Sequence, residues 1–130
     1  MRTIKFRGKE VYGKWRIGNL LCEENMNHPF IKDYDGYKVR VDADTIGQYV
    51  GLHDVEGNDI FEGDILLSKY AHPYSVYWDS RKMRFAFGNA VNTQMDIHTI
   101  NKFGLRVIGN VHDNPTLIAD ICSNKITPNY

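Results

Sequence analysis

Three groups of side chains have types and spacings that suggest chemistry. The first is Glu62-Gly63-Asp64, with His53-Asp54 a short way upstream and Asp59 between them. Two neighbouring carboxylates can divide acid and base roles or hold a divalent cation. On an unbroken strand Glu62 and Asp64 would face the same side. The second is His112-Asp113, another imidazole beside a carboxylate. Brought together by the fold, His53, Asp54, Glu62, Asp64 and His112 would make a hydrolytic metal site. The local pattern argues the other way, because it has no HxxxH or HxH spacing and no third ligand next to Glu62 and Asp64. A bend explains the same residues: carboxylates accept backbone N–H bonds there and Gly63 supplies the unusual dihedral. The expectation is therefore no catalytic residue, no cofactor and no metal, with those five as candidate ligands only.

The third group is basic. Arg81, Lys82 and Arg84 lie among Tyr77, Trp78, Phe85 and Phe87, and Arg2, Lys5, Arg7, Lys9, Lys14 and Arg16 crowd the N-terminus against Glu10 alone. Cations interleaved with aromatic rings are what single-stranded nucleic acid binds. Alternating aromatics are more ordinarily core residues. The sequence has no phosphate loop, nucleophile elbow or dinucleotide fingerprint.

The stretch from residue 41 to 67 has to position the acidic group. Residues 42–64 hold seven acids and no Lys or Arg, with a turn at Glu56-Gly57-Asn58. Asp42 to Thr45 reads as a single helical turn, Gln48 to Leu52 as a strand with Gly51 in it, and Gly63-Asp64 as a break before Ile65-Leu66-Leu67. Upstream, residues 3–7 and 14–21 alternate and pair as an antiparallel ribbon; residues 23–36 read as a loop, and 37–41 as a strand. Downstream, residues 74–78 and 83–87 form the clearest hairpin, 96–100 lean to strand, and 105–111 is a strand containing Gly109. Asn110 is placed to bond backbone, and Asn114-Pro115 to open a short helix.

Many short strands imply a mainly β fold. The expectation is a small SH3-like barrel over 42–118, an N-terminal β-ribbon and loop over 1–41, and the end of a short C-terminal helix with a tail over 119–130. The 130 residues suffice for a core without staples. A net charge of zero excludes generic steering to nucleic acid or anionic membranes. Cys22 and Cys122 have no metal-like spacing and read as reduced, half-buried thiols. No apolar run reaches membrane-spanning length, and the basic N-terminus lacks the apolar segment of a secretory signal.

IKFRG at 4–8, IGQYVGLHDVEGNDIFEGDIL at 46–66, VYWD at 76–79 and VIGNVHDNP at 107–115 together resemble the YopX family, in order and spacing as well as in words. The resemblance implies a small, soluble, mainly β protein encoded by a bacteriophage or prophage, and carries over no catalytic residue. The functional expectation is a non-enzymatic accessory protein in the cytoplasm of the bacterial host. It would bind an unidentified host or phage protein and self-associate as a homo-oligomer, with no membrane partner. A nucleic-acid-binding module and a metal-dependent hydrolase are the alternatives.

Overall fold

Short alternating runs punctuated by glycine give ten strands and two helices among the described residues. The computed structural model describes residues 1–22, 29–88 and 95–128. Two compact units divide the chain, Met1–Gly51 and Leu52–Tyr130.

The first unit contains β1 (Phe6–Lys9), β2 (Trp15–Leu21), β3 (Phe30–Asp33), β4 (Lys38–Arg40) and most of β5 (Asp42–His53), in the strand order β4-β3-β2-β1-β5. The pairings of β1 with β2 and β5, of β2 with β3 and of β3 with β4 are antiparallel. Strands β4 and β5 stand at opposite ends of that order, yet Val41 alone joins them. Consecutive Cα atoms are about 3.8 Å apart, so the sheet must roll until those two ends approach. Its inner face carries Ile31 and Val41, which are buried, and two buried glycines, Gly8 and Gly18. A Cβ on Gly8 would stand 2.7 Å from Val41 Cγ2, so the glycine of the IKFRG run makes room for the valine.

The second unit contains β6 (Asp59–Phe61), β7 (Asp64–Leu67), β8 (Pro73–Asp79), β9 (Arg84–Phe87), α1 (Ile97–Phe103), β10 (Arg106–Asn110) and α2 (Leu117–Cys122). Its four-stranded antiparallel sheet runs β10-β7-β8-β9. All four residues of β7 are buried, which requires cover on both faces of that strand. Each fully buried Leu or Ile there contributes about 1.5–3 kcal/mol relative to exposure. Ile60, Val76, Phe87, Ile100, Leu105 and Ile121 complete the core.

The mainly β class holds, as two antiparallel sheets; a closed barrel is not formed among the described strands. Five local expectations are corrected. Residues 42–45 open β5 instead of a helical turn. Residues 96–100 are helical: the Asp96 carboxylate accepts the Thr99 N–H at 2.8 Å, and Gly104 closes α1 at φ 60°. A cap at one end and a left-handed glycine at the other outweigh the β-branched residues between. Residues 23–36 contain β3, whose Phe30 and Ile31 pair with β2; residues 23–28 of that stretch, like 89–94 of the ambiguous 88–103, lie outside the described residues. Helix α2 begins two residues beyond Pro115 with Thr116 at its N-cap, so Asn114 is not the cap. Both cysteines are exposed, where half-buried thiols were expected.

Candidate functional site

Asp54 sits at the end of β5 and is 5% exposed. Its Oδ1 accepts the N–H groups of Glu56 (2.9 Å) and Asn58 (2.8 Å), and its Oδ2 accepts Asn58 Nδ2 (3.3 Å) and the Val107 N–H of β10 (2.9 Å). One carboxylate thus closes the turn before β6 and ties it to a strand distant in sequence. Asp64, 1% exposed, directs Oδ2 to the Phe61 N–H at 2.8 Å. Between them Gly63 has φ 89°, donates to Val76 O (2.9 Å) and accepts from Val111 N (2.8 Å). Because β6 stops at Phe61 and β7 starts at Asp64, Glu62 and Gly63 form a bend. Glu62, half-buried, and Asp64 therefore do not share one strand face.

The other candidate ligands do not join this group. His53 Nε2 lies 2.9 Å from Asp59 Oδ1, and the histidine is more than half exposed. His112 belongs to the loop after β10, where its N–H and that of Asp113 both donate to Asn110 Oδ1. Asn110 N–H donates in turn to Asn114 Oδ1 (3.2 Å), and a Cβ on Gly109 would stand 2.4 Å from that same oxygen. Among the described residues no group of three or more His, Cys, Asp or Glu side chains is placed to hold a metal ion.

The remaining residues singled out in the sequence are turn and surface features. Gly51 and Gly57 have φ of 90° and 86°, with open space where a Cβ would be, so backbone conformation and not crowding selects glycine there. Arg81 and Lys82 are exposed in the β8–β9 turn, where Asp79 Oδ1 accepts both of their N–H groups. Arg84 is half-buried and opposite Asp79. Trp78 is 43% exposed and meets Phe85 edge-on at 5.0 Å.

A second basic surface emerges only from strand register. On the outer face of the N-terminal sheet, Lys9 is opposite Trp15, Arg7 opposite Ile17, Lys32 opposite Lys38 and Arg40 opposite Phe30. Arg7 stands 4.9 Å from the centroid of the Trp15 ring and Lys38 4.3 Å from that of Phe30. Alternation around residues 3–9 and 37–41 hinted at it. Strand β3, which supplies Phe30 and Lys32, was hidden in an expected loop.

These features define a small mainly β protein of two antiparallel sheets, whose acidic turn holds backbone and whose cations gather on sheet surfaces. The chain belongs to the YopX protein family, whose model matches residues 2–119. It is also similar to the crystal structure of protein EF1440 from Enterococcus faecalis, with a TM-score of 0.61 and 27% identity over 91% of this chain and 99% of that one. No curated protein matches the chain. Among the described residues no helix is long and apolar enough to cross a membrane.

Proposed function

We propose that this YopX family protein is a non-enzymatic accessory protein of a bacteriophage or prophage, acting by binding in the cytoplasm of the bacterial host and self-associating as a homo-oligomer. The observation that supports a binding role is the use of Asp54: the most buried carboxylate of the His-Asp pairs spends both oxygens on four donors of its own fold. A carboxylate so engaged is positioned to shape a surface. Segregated charge, with acids dense over 42–64 and cations over 2–16, favours assembly between copies in a fixed register. Size-exclusion chromatography with light scattering, at low and high salt, tests the assembly. The expected result is a multiple of the single-chain mass; a strict monomer at high concentration in both salts ends that half of the reading.

A nucleic-acid-binding role is the second reading. The exposure of Trp78, Arg81 and Lys82 within one hairpin favours it. It predicts binding that weakens as salt rises.

A further inference from the structure

We infer that the outer face of the N-terminal sheet, across β1 to β4, is a binding site for single-stranded nucleic acid. This rests on the reading of the protein as a binding module and names the partner class and the surface. Residues directly opposite in an antiparallel pair project to the same face. By register, Arg7, Lys9, Lys32, Lys38 and Arg40 share one face; on β2 to β4 they are opposed by Ile17, Trp15, Asn19, one another and Phe30, and at the β5 edge Asp42 is opposite Lys9. The other face of the same strands carries Gly8, Gly18 and the buried Ile31. The cations are thus on the face that the core does not need.

Lys32 and Lys38 stand directly across from one another, an arrangement that destabilises a sheet. A polyanion laid over them converts that repulsion into attraction. Lys32, Lys38 and Arg40 are all exposed. The half-buried rings of Trp15 and Phe30 lie under cations and do not protrude, which suits stacking against a planar base better than insertion into lipid. On binding, Lys38 turns from the Phe30 ring to a phosphate and leaves the ring to a base. Stacked bases of a duplex are closed to such rings, so the strand must be single.

The test is fluorescence anisotropy of a labelled oligothymidylate, and of the matching oligouridylate, with the full chain over a salt series. The native chain should bind at low salt. Combined Lys32→Glu, Lys38→Glu and Arg40→Glu changes, all at exposed positions, should weaken binding at least about tenfold. They should also flatten the salt slope by about 2, at roughly 0.7 per phosphate contact on a single strand. Urea unfolding of the triple variant checks that it folds. In a Trp78→Phe background, quenching of the remaining Trp15 fluorescence by oligonucleotide should accompany binding.

Four results would overturn the inference: absence of binding at low salt; a triple variant that binds like the native chain; equal affinity for polyaspartate, which would make the face a generic polyanion or acidic-protein surface; and a triple variant whose only change is loss of an oligomer, which would make it a contact between copies. Light scattering reads self-association separately, so failure here leaves that question standing on its own measurement.

Discussion

Asp54 turns a sequence feature that suggests catalysis into a mechanical one. Its two oxygens collect three backbone N–H groups and one side-chain amide while 5% exposed. Hydrogen bonds to an ionised acceptor contribute about 1.5–3 kcal/mol each, and a buried donor left without its acceptor costs about 1–3 kcal/mol. Asp54→Asn keeps the shape but points an NH2 group at an N–H. Urea unfolding should show a loss of about 2–4 kcal/mol, in the range reserved for broken buried networks. Asp96 acts at a helix terminus instead. The Thr99 backbone N–H, followed by a side-chain bond from Thr99, holds its carboxyl below the ordinary value of 3.8. A depressed folded-state value means that the stabilisation is present above the unfolded value and is lost as pH falls through the folded one. The native chain should therefore unfold at a higher urea concentration than Asp96→Ala at neutral pH. The gap should narrow as the pH drops through 3.8 and below; a gap independent of pH would separate Asp96 from the charge argument.

At the scale of elements, one turn design is used four times among the described residues. Glu10 N donates to Lys14 O and Gly13 N to Glu10 O; the same pair of bonds joins Asp33 with Tyr37 and Gly36, Asp54 with Asn58 and Gly57, and Ser68 with His72 and Ala71. In three of the four the closing residue is a glycine with positive φ, as a three-residue hairpin loop requires. In the fourth it is Ala71 at φ 62°. Left-handed backbone costs a Cβ-bearing residue about 1–2 kcal/mol, partly offset by the greater unfolded freedom of glycine. Ala71→Gly should raise the unfolding free energy by up to about 1 kcal/mol, and a lower value would contradict the shared design. Gly8 and Val41 make a different prediction. Gly8→Ala drives a methyl into Val41 and should cost about 1–3 kcal/mol. In a Val41→Ala background the same change should cost less, and a double-mutant cycle reads the difference. Turn chemistry at residues 56–58 and the 74–87 hairpin were legible because their signals are local. Helix α1 was misread because Ile97, Thr99 and Ile100 are β-branched, while the deciding signals are Asp96 and Gly104 at its ends. Strand β3 was missed because Pro29 and the turn residues Asp33 to Gly36 flank a run of four.

For the whole molecule, period-two patterning made the mainly β class readable, but strand order was not. That β4 and β5 are sequence neighbours with three strands between them in the sheet is a consequence of non-local pairing, which no short window records. The carboxylates of 54, 62 and 64 were legible as a bent, acidic segment, whereas the reach of Asp54 to Val107 across β10 was not. Neutral net charge likewise concealed the basic outer face, since a sum over residues ignores which strand face each one takes. What distinguishes this chain from a small hydrolase is whether Asp54 and Asp64 hold backbone or hold substrate chemistry. Amide NMR of the labelled full chain, titrated with Mg2+, Mn2+ and Zn2+, asks that directly. The account predicts that the amide signals of Glu56, Asn58, Phe61 and Val107 keep their positions, and their protection from exchange, at every ion concentration. Saturable shifts or line broadening converging on those amides would show a metal at the two carboxylates and contradict it.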